Sequence, residues 1–360
     1  MEKYNRTLTL EEYSLSVLTR FPEYADFLKQ IEGSNIGEDV LKDSINEVVE
    51  RNKAYDLALL SIDVSEGRKP LTAIIDFYDK IKEHEKIEEV KFITDDLEAL
   101  YEETVHKPGL KWRLKTLNKM LGSLRLGDFG FLFARPETGK TTFLASEVTF
   151  MAEQLLDDAG PIIWFNNEEQ GNKVKIRTYQ ASLGCDLSKL YSNRKGAYEA
   201  YMKRTKGKIK IFDSASIHKR NIESICKDFK PSLIIFDQID KIKGFDSDRE
   251  DLRLGSIYIW ARELAKTFCP VIGVCQADVS GEGKKWLDMG NVANAKTSKQ
   301  AEADWILGIG AVHDIGLEYV RYLHLSKNKL SGDEDSDPTL RHGRCEVIIK
   351  PEIARYAELN

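Results

Sequence analysis

The stretch FGFLFARPETGKTTFLASEV, residues 129–148, constrains the fold more than any other. Six apolar residues, 129–134, read as a buried strand. The chain then turns at Arg135-Pro136 and enters a helical pattern after Gly139-Lys140-Thr141-Thr142. A strand that passes through such a turn into a helix N-terminus brings backbone N–H groups and the positive helix end to one point, a seat for an anion. A phosphate loop also needs a lysine for the outer phosphates and a hydroxyl for Mg2+. Ala134, Arg135, Pro136, Glu137, Thr138, Gly139, Lys140, Thr141 and Thr142 supply these as the candidate nucleotide-binding set. Lys140 is read on the β- and γ-phosphates, Thr141 on Mg2+, and Gly139 as the point of close backbone approach. One position departs from G-x-x-x-x-G-K-[ST]: Ala134 stands where the first glycine belongs. ATP and Mg2+ are the cofactors this pattern predicts.

The surrounding texture places that loop in an α/β sheet. Short apolar runs at 129–134, 161–166, 208–213, 232–237, 270–275 and 304–309 alternate with helical patterns such as KTTFLASEVTFMAEQLL and REDLRLGSIYIWARELAKTF. Buried strands separated by helices mean a mostly parallel sheet. Near the end, EYVRYLHLSKNK and GRCEVIIK read as a hairpin pair around a polar loop at 331–342.

Residues 1–92 differ. EYADFLKQI, EDVLKDSINEVVERNKAYDLALLSI and LTAIIDFYDKIKEHEKI carry apolar residues at i, i+3 and i+4, broken by EGSNIG and SEGRKP. They predict a small all-α N-terminal domain. A short helix at 95–105 and His106-Lys107-Pro108 predict a linker over 93–108, leaving 109–360 as the second domain. The charge follows this division. Residues 1–106 hold 25 Asp/Glu against 13 Lys/Arg, a balance of −12, within a chain whose net charge is −6. The remainder is therefore +6, and only that part suits a polyanion.

The five cysteines are scattered without CxxC spacing, which argues against a zinc module or a disulfide frame. No apolar run reaches the ~18 residues a membrane span needs, and MEKYNRTLTLEEY has no signal-peptide character. A cytoplasmic protein is expected.

Further chemistry sits at strand ends. Asp237 closes SLIIFD, where a carboxylate can hold the Mg2+ water shell; Asp240 is a weaker alternative. PIIWFNNEEQ ends in adjacent carboxylates, Glu168 and Glu169, expected on the strand neighbouring the phosphate loop, where a base can act on water. PVIGVCQAD presents Gln276, an amide able to sense the γ-phosphate.

In this order ARPETGKTTF, an acidic strand end followed by Arg177, LIIFD, VCQ, QAEADWILGI, LSKNK and the closing RCEVIIKPEIARYAEL resemble the RecA-like motor of DnaB-type replicative helicases, over roughly residues 108–360. That family shows ARPxxGKT, so Ala134 fits the resemblance. The resemblance implies a RecA-like P-loop ATPase fold, a homo-oligomer that is usually a ring of six, ATP at subunit interfaces and single-stranded DNA through the centre. It implies Glu168 as the catalytic glutamate, Asp237 as the metal-site aspartate and Gln276 as the residue coupling nucleotide to DNA. The segment SGEGKKWLDMGNVANAKTSK matches a DNA-facing loop, with Lys284, Lys285 and Lys296 following phosphates and Trp286 stacking on a base or a neighbouring subunit. DKIKGFDSDRE is a second candidate through Lys241, Lys243 and Arg249. Lys327-Asn328-Lys329 aligns with the family's Lys-x-Arg, so Lys329 stands where an arginine finger is expected and Lys327 beside it; Arg321 and Arg344 are the other candidates for that role. A separate primase and a loader are the implied protein partners, and the chain's compact size suggests a phage or plasmid replication protein. A recombinase filament and a loader-like regulatory ATPase are the rival readings.

Overall fold

The structure, a computed structural model, describes residues 38–85, 96–98, 109–245, 247–294, 296–330 and 332–359. The chain divides into two compact units, Met1–Ile93 and Thr94–Asn360. In the first, helices α1 (Glu38–Ser65) and α2 (Thr72–Glu85) are joined by a turn. Gly67 takes a φ of +72° there, and Arg68 Nε donates to Asp63 Oδ1 at 2.9 Å. The segment EYADFLKQI and most of 95–105 lie outside the described residues.

The second unit is a nine-stranded sheet. Its elements in chain order are α3 (Lys115–Leu121), β1 (Phe129–Ala134), α4 (Lys140–Gln154), β2 (Ile162–Asn166), α5 (Gly171–Leu183), α6 (Leu187–Ser192), α7 (Arg194–Thr205), β3 (Ile209–Asp213) and α8 (Lys219–Phe229). Then come β4 (Leu233–Asp237), α9 (Glu250–Thr267), β5 (Val271–Gln276), α10 (Lys296–Glu302), β6 (Trp305–Gly310), β7 (Val320–Asn328), β8 (Arg344–Lys350) and β9 (Arg355–Glu358). The strand order is β3-β2-β4-β5-β1-β6-β7-β8-β9. The first six strands are parallel and the last three antiparallel. This is the RecA-like arrangement of a mostly parallel sheet with helices.

Why the central strands read as unbroken apolar runs is clear from their burial: both faces are covered. In β1, Leu132 and Ala134 enter one core layer with Phe143, Leu144 and Val148 of α4. Phe129, Phe131 and Phe133 enter the other, with Ile257, Tyr258 and Ala261 of α9. Gly130 is required by packing, since a Cβ there would fall 2.2 Å from the Trp305 ring. Among the described residues no helix is long and apolar enough to cross a membrane.

Two expectations need correction. β2 does not neighbour β1: β4 and β5 lie between them, because strand order is set by non-local packing. The C-terminal hairpin also continues into a third antiparallel strand, β9, which pairs with β8.

Candidate nucleotide site and nucleic-acid interface

Parallel strands end together, so the loops after β1, β2, β4 and β5 gather at one edge of the sheet. The loop after β1 turns with Glu137 at φ +62° and Gly139 at φ +106°. A Cβ on Gly139 would meet Ile349 Cδ1 at 2.5 Å and the Tyr356 hydroxyl at 2.8 Å, so only glycine fits. Helix α4 starts at Gly139 with no side-chain cap, which leaves its first N–H groups for an anion. Lys140 is buried, and its ammonium makes only a long 3.5 Å contact, to the Arg135 carbonyl. Thr141 and Thr142 stand half-buried beside it. These residues line a cavity of 390 Å³ with Glu137, Glu168, Glu169, Arg177, Arg321, Ile349 and Pro351.

Asp237 ends β4 fully buried, and neither carboxylate oxygen has a hydrogen-bond partner. The neighbouring Trp164 indole draws its pKa down slightly without reaching hydrogen-bonding geometry. Burial dominates and pushes the pKa up to about 7; Glu168 and Glu169 push the same way, while Lys140 opposes them. A buried carboxyl without partners is costly unless a cation or proton satisfies it. The Asp237 oxygens and the Thr141 hydroxyl thus fit a Mg2+ ion held through water and phosphates. Among the described residues no group of three or more His, Cys, Asp or Glu forms a self-sufficient metal cage, as a phosphate-held Mg2+ requires none. Asp240, the alternative, is committed elsewhere. Its carboxylate meets the buried Lys299 ammonium at 2.6 Å and accepts from the Tyr258 hydroxyl at 3.2 Å.

The two glutamates are held differently. Glu169 forms an ion pair with Arg177. Glu168 is exposed, and its Oε2 accepts from Gln238 Nε2 at 2.9 Å. Gln238 sits at φ +64° and its carbonyl accepts from Asn167 Nδ2, so the end of β4 carries the loop after β2 toward the phosphate loop. That connection brings Glu168 into the cavity although β2 is three strands from β1. Gln276 is half-buried at the end of β5, paired in register with Ala134.

Four participants were missing from the sequence reading or have partners it did not foresee. Gln238 follows Asp237 in the sequence and by itself carried no signal. Tyr356 of β9 donates to the Gly139 carbonyl at 3.3 Å, and Arg321 Nε donates to the Thr138 carbonyl at 2.7 Å. Arg321 therefore buttresses its own phosphate loop and is not free to reach another subunit. The Arg135 side chain turns away from the phosphate seat: its Nε donates to Glu282 at 2.7 Å and Nη1 to the Ala277 carbonyl at 3.1 Å.

Lys327 and Lys329 lie at the opposite edge. β7 runs antiparallel to β6, with Tyr322 opposite Gly310 and Asn328 opposite Trp305. Lys327 is six residues beyond Arg321, ~20 Å along a strand, out of reach of its own phosphate loop. Its ammonium donates to the Gln300 carbonyl. Partial burial lowers its pKa to about 8, and the adjacent Lys329 adds to the shift. Lys329 is exposed just past the strand.

Of the candidate nucleic-acid residues, Lys284 and Lys285 are exposed on the segment after β5, and Lys241 and Lys243 on the segment after β4. Gly308 and Gly310 make room for the first of these segments: a Cβ on either would strike Leu287 or the Lys285 carbonyl. Lys296 opens α10, and its side chain lies outside the described residues. Arg249 is exposed but its guanidinium pairs with Asp251 at 2.7 Å. Trp286, read from the sequence as stacking on a base or a neighbour, is half-buried and has partners within its own chain. It packs edge-on against Tyr322 at 5.2 Å, with the Arg344 guanidinium 5.6 Å above its ring. Lys299 joins the two segments, since it donates to the Ala293 carbonyl as well as pairing with Asp240.

A phosphate loop, a buried strand-end aspartate and a glutamate gathered at one sheet edge define a P-loop nucleotide-binding ATPase. The AAA domain family matches residues 97–282, about half of the chain, and the protein belongs to that family. Its fold is similar to two solved structures. One, described as an ATPase domain, aligns at TM-score 0.59 and 15% identity, covering 80% of this chain and 98% of its own. A DnaB-like replicative helicase, described with its interactions with primase, aligns at TM-score 0.64 and 15% identity, covering 100% of this chain and 89% of its own. No curated protein sequence matches.

Proposed function

We propose that the chain is an ATP-driven DNA helicase of the DnaB replicative type, working as a homo-oligomeric ring, most simply of six subunits, on single-stranded DNA. The observation that carries this reading is the separation of two half-sites. The phosphate loop, Asp237 and Glu168 stand at one edge of the sheet. Lys327 and Lys329 stand at the other, two adjacent cations ~20 Å from any phosphate their own chain can bind. Two such edges complete each other only between subunits, so Lys329, with Lys327 beside it, supplies the next subunit's ATP with positive charge. A lysine pair lacks the bidentate fork of arginine but places two point charges where one fork would act.

Within one site, the loop amides and Lys140 hold the outer phosphates, and Thr141 and Asp237 hold Mg2+. Mg2+ held there would offset the charge of the outer phosphates. Glu168, fixed by Gln238, accepts the hydrogen bond that orients the attacking water. Gln276 faces the same layer as α4 and relays the state of the γ-phosphate to the segment after β5, whose Lys284 and Lys285 follow the strand. Lys241, Lys243 and Lys296 extend that path. The likeness to a helicase that interacts with primase suggests a primase as partner, and a loader would open the ring.

The test is ATP turnover with and without oligo(dT). Stimulation by the single strand and loss of turnover in Lys140→Ala, with unchanged thermal unfolding, support the reading. Retained turnover in that variant refutes the site.

A further inference from the structure

Gln276 is not the sole connection between the phosphate loop and the segment that follows β5. The parallel register of β1 and β5 runs one residue past the strands, where the Ala277 N–H donates to the Ala134 carbonyl at 2.9 Å. The next residue of the loop, Arg135, then grips that segment twice. Its Nη1 holds the Ala277 carbonyl at 3.1 Å, and its Nε holds Glu282 Oε2 at 2.7 Å, across 147 residues of sequence. Glu282 stands two residues before Lys284. Its carboxylate pKa is lowered by Arg135 first and by His313, 3.5 Å away, second. Both partners of this bridge line a cleft of 370 Å³, together with Thr138, His313 and Arg321.

We propose that Arg135 and Glu282 form a mechanical link through which the nucleotide in the phosphate loop repositions Lys284 and Lys285. Arg135 is a positioning residue: its backbone belongs to the loop that closes on phosphate, while its guanidinium belongs to the neighbouring segment. A change in the loop backbone is carried to Glu282 by a side chain held at Nε and Nη1. The inference rests on the reading of the chain as a nucleotide-dependent DNA-binding motor, and it adds a second route beside the glutamine. By linkage, DNA must change nucleotide affinity by the same factor as nucleotide changes DNA affinity.

The experiment measures ADP and non-hydrolysable ATP-analogue dissociation constants with and without oligo(dT), in the full chain. Couplings between sites are typically about 5–150-fold, and an exposed pair should carry a share at the low end. Wild type is expected to show a factor of about 5 or more. Glu282→Ala should bring that factor to within about twofold of one while leaving nucleotide affinity without DNA unchanged. Glu282→Asp should restore part of it, and His313→Ala should leave it intact. Glu282 is exposed, so thermal unfolding should not change. If wild type binds neither nucleotide nor oligo(dT), the functional reading falls and this inference with it. If both bind and Glu282→Ala keeps the wild-type factor, or wild type shows no factor to lose, only the link is overturned.

Discussion

Arg321 offers the sharpest separation between action within a subunit and action across an interface. Its Nε donates to the Thr138 carbonyl at 2.7 Å, and Nη1 donates to the carbonyls of Glu318 and Val320 at 2.8 Å. These contacts hold the phosphate loop in shape before any nucleotide arrives. A hydrogen bond from a charged donor is worth about 1.5–3 kcal/mol. Arg321 is half-buried, so the lower half of that range applies. At about 1.4 kcal/mol per tenfold, Arg321→Ala should weaken ADP binding by about 10–40-fold. Arg321→Lys should recover only part, because one ammonium cannot serve the loop and both remaining carbonyls. Fluorescent ADP titration reads this directly. Mixing then tests the geometry. Arg321→Ala subunits combined with Lys140→Ala subunits should turn over no faster than Arg321→Ala subunits alone, since no subunit keeps both groups. Lys329→Ala combined with Lys140→Ala should regain partial turnover, since some interfaces pair an intact Lys140 with an intact Lys329. Recovery in the Arg321 mixture, or wild-type ADP affinity in Arg321→Ala, would refute the cis assignment.

Glu168→Gln should bind ATP normally and hydrolyse it about 10²–10⁴-fold more slowly, while Glu169→Gln, which loses the Arg177 ion pair, should be less affected; the reverse order of the two rates shifts the base to Glu169. Neutralising Lys284 and Lys285 should reduce the log–log salt slope of oligo(dT) binding by about 1.4, at ~0.7 per phosphate contact, and an unchanged slope moves the DNA path to Lys241 and Lys243. Burial raises the Glu147 pKa to about 7, against the opposing pull of Arg113. The folded state then favours the neutral form, so wild type loses stability as pH rises from about 4.5 to 7, by up to about 1.4 kcal/mol per unit. Urea unfolding should show the stability of Glu147→Gln gaining on wild type between pH 5 and pH 7.5; a gap independent of pH contradicts this.

The parallel strands were legible almost to the residue because all but the edge strand β3 are apolar on both faces, and each is bounded by a charged or turn residue. β4 shows this best: SLIIFD announces both its burial and the carboxylate at its end. Strand order was not legible. β2 reads no differently whether it lies beside β1 or beyond β4 and β5, since order depends on contacts between distant segments. β9 was missed because RYAE is four residues long and follows Ala354 in a left-handed turn. The candidate site divides along the same line. Lys140 and Thr141 were visible as residue types at a helix start, and Asp237 at a strand end. What Arg135, Asp240, Trp286 and Arg321 do was not, because each finds its partner far away in sequence: Glu282, Lys299, Tyr322 and Thr138. The ~20 Å between Lys327 and the phosphate loop likewise follows from the antiparallel sense of β7, which residue spacing does not report.

Strand displacement on a forked duplex tests the central claim most directly. With ATP and Mg2+, wild type should release the displaced strand, and both Lys140→Ala and Lys329→Ala should fail to do so while still assembling. Brisk ATP turnover stimulated by single-stranded DNA, with no displacement from the fork, would contradict a helicase and leave the chain an ATPase that binds DNA without parting it.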